Sequence, residues 1–144
     1  MAKEFFEAIQ VGGIEDVRRL LADGTDVNIF YDGITPLIKA VTFGHMTIVQ
    51  LLIDQGAKID TVDNHRKSSA LIWAIVMSKV EIAQLLAARM DVATLNIVDD
   101  DGKTAADWAD IGGDYSEKVE EFKPVGAAIR ARGGMTAADL AARS

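Results

Sequence analysis

Gly102-Lys103-Thr104 has the ending of a phosphate-binding loop, G-x-x-x-x-G-K-[ST]. In that loop, backbone N–H groups and an ammonium hold phosphates and a hydroxyl holds Mg2+. The first glycine of the pattern falls on Ile97, and no strand pattern feeds the turn, so the triplet does not read as a nucleotide site. Asp99-Asp100-Asp101 suggests calcium, but an EF-hand loop needs oxygen ligands at 97 and 108, where Ile97 and Trp108 stand. The two histidines, His45 and His65, are not spaced as metal ligands on one helix. Ser68 and Ser69 lack the G-x-S-x-G elbow that exposes a serine nucleophile. Without cysteine there is no thiolate nucleophile, zinc thiolate site or disulfide framework. These residues assemble no catalytic set, no metal site and no cofactor site.

The chain repeats itself. Ala8–Asn28, Ala40–Asp60 and the stretch from Ala74 align, with Ala8 and Ala40 separated by 32 residues and Ala40 and Ala74 by 34. In each, Val17, Val49 or Ala83 is followed three residues later by Leu20, Leu52 or Leu86. Gly24 and Gly56 then lead into short alternating tails. A period of this size marks a stacked array, in which each unit buries its apolar face against the next.

These residues resemble the ankyrin repeat. The best match is Asp32 to Asp60, where Gly33, Thr35, Pro36, Leu37, Ala40, Gly44, His45, Leu52, Gly56 and Ala57 fall in place. The first unit matches in its second half. The third is worn: Ser69-Ala70-Leu71 replaces Thr-Pro-Leu, Ser78 replaces the helix-ending glycine, and Met90 the second glycine. The fourth opens at Asp99, Gly102, Thr104 and Ala105, and a fifth opening follows at Gly134-Met135-Thr136-Ala137. The resemblance implies an all-α repeat solenoid: an ankyrin-like stack of about four to five helix-turn-helix units with projecting hairpin loops. One domain over 1–144 is expected, with an N-terminal capping unit at 1–31, a repeat at 32–63, a degenerate repeat at 64–98, an atypical repeat at 99–133 and a C-terminal capping helix at 134–144. The His of the T-P-L-H motif is replaced by Ile38, Ile72 and Asp107, which puts the polar ties between units in doubt.

Local signals agree with that plan. Thr35 caps a helix with Pro36 at its first position, and Gly44 ends it. Thr47 is expected to cap the second helix of that unit. The connections from Asn28 to Thr35, Asn96 to Thr104 and Asp60 to Ser69 lengthen by one residue each, so the hairpins should differ in shape. An irregular turn is expected over Asp91–Asn96. Beyond Gly112 the pattern breaks: Ser116–Phe122 and Val125–Arg132 read as two helices interrupted by Pro124, and a last helix from Thr136 should cover the end of the stack. Trp73 and Trp108 read as core.

The chain has 144 residues, 49% of them apolar, and a net charge of −7. That charge argues against non-specific binding to nucleic acid or anionic membranes and favours a basic partner. The longest apolar run, Ala70–Met77, is far short of a membrane span. The first residues lack a signal-peptide pattern, and cysteine-free composition suits a reducing compartment, so a cytoplasmic setting is expected. The resemblance implies a non-catalytic module that binds a protein through its concave face and loop tips, as an inhibitor or immunity-type partner of a basic protein would. The alternatives are a structural or self-assembling protein, or a piece of a longer array; a monomer is expected over a homo-oligomer. Carried over by position, the binding face comprises Tyr31, Asp32, Ile34, Thr42 and Phe43 in the second unit, Arg66, Lys67, Val76 and Met77 in the third, and Asp100, Asp101, Lys103 and Ile111 in the fourth. Ile29 and Phe30 extend the apolar run before Tyr31.

Overall fold

In the computed structural model, residues 2–113 and 118–144 are described. They form ten helices: α1 (Ala2–Gln10), α2 (Ile14–Ala22), α3 (Pro36–Thr42), α4 (Met46–Asp54), α5 (Ala70–Val76), α6 (Val80–Arg89), α7 (Val92–Leu95), α8 (Ala105–Ile111), α9 (Val119–Ala131) and α10 (Ala137–Arg143). Four pairs pack internally: α1 with α2, α3 with α4, α5 with α6, and α8 with α9. The first helices stack in the row α1, α3, α5, α8, and second helices touch at α2–α4 and α6–α9. None of these segments is long enough to be stable alone in water, so the shared core supplies the stability. That core is continuous, from Phe5 and Ile9 through Leu37, Leu52, Leu71 and Leu86 to Phe122. The architecture is the expected all-α repeat solenoid.

Helices α3, α5, α8 and α10 begin on hydroxyl caps. Thr35 Oγ1 accepts from the Ile38 N–H and Ser69 Oγ from the Ile72 N–H, each at 3.2 Å. Thr104 and Thr136 form capping boxes with Asp107 and Asp139. The second helices begin differently. Helix α4 starts at Met46, so Thr47 is not its cap. His45 holds the cap position without a side-chain cap bond, as Gly13 and Lys79 do for α2 and α6. In this tight turn the Gly44 and His45 N–H groups return to Val41 O and Ala40 O, and the His45 ring is turned away to Gln10 O rather than onto the helix. In the third unit Ser78 takes the place of Gly44 and adopts the same left-handed backbone, with φ of 60°. A Cβ is strained there, and the Ser78 hydroxyl is also buried without a hydrogen-bond partner.

Pro124 does not break a helix. Helix α9 runs through it unbroken, burying Phe122, Val125, Gly126 and Ile129 against α6 and α8. The missing N–H would have served Glu120 O, and both residues lie on the exposed side, where water can take the freed carbonyl. Helix α9 is thus the second helix of the fourth pair. The expectation for 116–117 lies outside the described residues. The irregular turn at Asp91–Asn96 is the single-turn helix α7, capped by Asp91, whose Oδ1 accepts from the Thr94 N–H at 2.8 Å.

Helix α10 departs from the expected cover. It starts beside α8 but buries none of its side chains. Its start is tied down: Thr104 Oγ1 donates to Met135 O (2.6 Å) just before the helix, and Asp107 Oδ2 accepts from the Ala137 N–H (2.8 Å).

A candidate protein-binding face

Between α2 and α3, α4 and α5, and α7 and α8 the chain projects fingers of three lengths. The first is closed by a pair of hydrogen bonds between Tyr31 and Ile34 (3.0 and 3.2 Å). It turns on Asp32 and Gly33, both at positive φ (57° and 81°). This is the tight hairpin turn for which glycine, asparagine and aspartate are suited. The third unit's finger closes between Asp63 and Ser68, and the fourth's between Asp99 and Lys103. The loops thus hold two, four and three residues, in the order the sequence spacing implies.

The longer fingers need more than backbone closure, and each has a buried aspartate. Asp63 accepts from the N–H groups of His65 (2.7 Å), Arg66 (2.6 Å) and Ser68 (2.9 Å), and from the Trp73 indole (2.7 Å). Burial pushes the Asp63 carboxyl up, but the Arg66 N–H, the Trp73 indole and the Ser68 and His65 N–H groups outweigh it and hold the group below its ordinary value. Asp99 repeats the arrangement: it accepts from the N–H groups of Asp101 (2.9 Å) and Lys103 (3.0 Å) and from the Trp108 indole (2.7 Å). Trp108 is 6% exposed, whereas Trp73 is half-buried at the edge of the core. The core reading holds for Trp108 and in part for Trp73, and in both the indole N–H also clamps the finger.

The fingers are also tied tip to tip. The Asn64 N–H donates to Gly33 O (2.9 Å), and the Asp100 N–H to Arg66 O (2.9 Å). His65 Nε2 bonds Asp32 O at 2.8 Å, and Arg66 pairs with Asp101. The Arg66 guanidinium also lies 5.8 Å and 5.7 Å from the ring centroids of Trp73 and Trp108, and Lys103 Nζ lies 5.4 Å from Trp108. Lower in the stack, His45 Nε2 bonds Gln10 O at 2.8 Å. Asn28 bridges Gly56 O and the Lys58 N–H, and Asn96 bridges Gly133 O and the Met135 N–H in the same way. Polar ties between units therefore exist, although Ile38 and Ile72 are buried apolar replacements for the motif histidine. Asp107, the third replacement, does supply a tie, to Ala137.

Most of the expected face residues lie at or near the surface. Tyr31 is exposed, with its ring 5.3 Å from that of Phe6. Asp32, Lys67, Asp100 and Asp101 are exposed at finger tips, while Ile34, Arg66 and Lys103 are half-buried within them. Phe43 is 45% exposed under Lys39 Nζ, 4.9 Å from its centroid. Met77 and Ile111 are exposed at helix ends. Thr42 is half-buried and donates to Lys39 O. Val76 is the correction: it is 3% exposed and cannot present a side chain. The cause is the next unit, whose Gly113 backbone lies so close that a Cβ there would fall 3.5 Å from Val76 Cα. Phe30, Val98 and Val11 are exposed apolar residues beyond the expected set. Among the described residues no group of three or more metal-ligating side chains occurs, and no helix is long and apolar enough to cross a membrane.

The repeat, the stacked pairs and the linked fingers converge with comparison to known proteins: the family described as "Ankyrin repeats (3 copies)" matches residues 5–96. The chain belongs to the ankyrin repeat family. It is similar to the "Ankyrin repeat and SAM domain-containing protein 6" of Mus musculus, with 34% identity over 85 residues, which is 58% of this chain and 10% of that protein. It is also similar to the "Ankyrin repeat and KH domain-containing protein mask-1" of Caenorhabditis elegans, with 29% identity over 86 residues, 60% of this chain and 3% of that protein. The chain spans a tenth or less of the length of these relatives. Ankyrin repeats generally act as protein–protein interaction modules, and the family is typically non-catalytic.

Proposed function

We propose that this ankyrin array is a non-catalytic module that holds a protein partner on the face made by its finger tips and the exposed ends of its first helices. The observation that supports this most is the set of large apolar side chains, Tyr31, Phe43, Met77 and Ile111, that stay exposed while the rest of each unit packs into a continuous core. Such side chains are the usual anchors of an interface when they stand together on a pre-formed surface. Asp32, Lys67, Asp100 and Asp101 at the tips, with Arg66 and Lys103 behind them, supply a polar rim. The net charge of −7 draws a partner with a basic surface, as an inhibitor of a basic protein requires. The reading takes 1–144 as one domain, with a capping unit at 1–31, repeats at 32–63, 64–98 and 99–133, and a terminal helix at 134–144, acting as a monomer in the cytoplasm.

The test is affinity capture from the native extract, followed by titration of the captured partner. Tyr31→Ala and Phe43→Ala should each weaken binding by about 1–3 kcal/mol. Unchanged affinity in the double variant would remove this face from the account.

A further inference from the structure

Several of the exposed apolar residues recur at the ends of the first helices. Val11, Phe43 and Met77 are each the first residue after the first helix of their unit, and Ile111 is the last residue of α8. Their exposures are 76%, 45%, 41% and 42%. Because α1, α3 and α5 stack in a row, Val11, Phe43 and Met77 form a ridge with one apolar residue per unit, and Ile111 stands one position earlier in its own unit. Packed helices lie about 8–10 Å apart, which sets the spacing along the ridge.

We propose that this ridge docks an amphipathic α-helix of the partner, lying across the stack, with apolar residues about every seventh position and acidic residues beside them. The inference rests on the binding reading and names the kind of segment that face takes. A helix rises 1.5 Å per residue, so seven residues advance about 10.5 Å. They also return the side chain to nearly the same face, with a drift of only about 20°. A strand covers that distance in about three residues, but an odd step turns the side chain to the opposite face. A polyproline helix matches the distance in three residues, yet it docks in aromatic-lined grooves. This ridge is mainly aliphatic, with Phe43 its single ring.

Charge selects the flanking residues. Lys39 holds its ammonium over the Phe43 ring. The Lys79 side chain lies against Gly44, within 3.1 Å of where a Cβ there would stand. Two cations therefore border the ridge beside Phe43, and carboxylates next to the partner's apolar line meet them. The chain's overall charge does not oppose this, since it acts over a Debye length and these pairs act at contact.

The experiment selects binders of the intact chain from two displayed peptide libraries, one of scaffolded helices about four heptads long and one of extended proline-rich segments. The helical library should enrich, with large apolar residues at heptad spacing and Asp or Glu beside them. Combined Phe43→Ser and Met77→Ser should weaken the enriched clones at least about tenfold. Gln50→Ser with Gln84→Ser, on exposed positions of α4 and α6, should leave them unchanged, and matched thermal melts confirm that both variants fold. Enrichment of the extended library with binding still lost in the Phe43/Met77 variant overturns the helix and keeps the face. Basic flanking residues overturn the charge pairing. Clones indifferent to Tyr31, Phe43 and Met77, or no enrichment from either library, overturn the helix and the face together.

Discussion

The first finger and the two that follow reach the same place by different means. The Tyr31–Ile34 finger has a two-residue turn with both residues at positive φ, and its own backbone closes it. The fingers at 63–68 and 99–103 are longer, and their extra N–H groups have no carbonyl opposite them. A buried carboxylate collects these donors, and a tryptophan from the following helix fixes the carboxylate. A short turn is thus specified by local conformation alone, whereas each added residue has to be satisfied by a side chain from elsewhere in the unit. The cost of breaking a finger should follow that division.

The largest effect is expected in the longer finger. Asp63→Ala leaves four donors without an acceptor and should lower stability by about 3 kcal/mol in chemical denaturation. If it costs no more than Asp32→Ala, the carboxylate is not what closes that loop. The same group sets an acid limb. Its folded pKa is depressed, so its contribution is fully present above the ordinary value of 3.8 and is lost as pH falls through the lower folded value. Asp63→Asn should flatten that part of the stability–pH curve.

Smaller effects sharpen the contrast. Trp108→Phe keeps the ring but removes the indole donor to buried Asp99, and should cost about 2 kcal/mol. In the short finger, Gly33→Ala should cost about 1–2 kcal/mol through the backbone alone. It should also displace His65, because a Cβ at Gly33 would fall 2.5 Å from His65 Nε2. The smallest change is a gain. Ser78→Gly relieves a left-handed Cβ and a buried unpaired hydroxyl, and should raise stability by about 1 kcal/mol; an unchanged melting temperature would mean that the third unit already tolerates both.

Much of this organisation was legible in the chain. Thr35-Pro36, Ser69 and Thr104 mark helix starts by capping chemistry, which is local and therefore visible in sequence. Finger lengths followed from counting, and Phe43 and Met77 lie exposed because their positions just past a helix end repeat with the period. What was not legible depends on a neighbouring unit. Val76 occupies a helix-end position yet is buried where the Gly113 backbone of the next unit comes close, which no periodicity within α5 reveals. Pro124 breaks a helix by rule, but its missing donor lies on the solvent side, where the loss is tolerated. The pairing of Trp73 with Asp63 and of Trp108 with Asp99 crosses ten and nine residues and changes from clamp to core by geometry alone. His45, Asn28 and Asn96 replace the missing motif histidine as ties, and only the stacking shows where their side chains reach.

Amide hydrogen exchange of the chain, free and bound to its captured partner, tests the account most directly. Slowed exchange in the finger tips at 31–34, 64–67 and 99–103 and just past the first helices at 43–45 and 77–79, with α2, α4 and α6 unchanged along their exposed sides, is the predicted result. Protection confined to those second helices, or to α10, would contradict it.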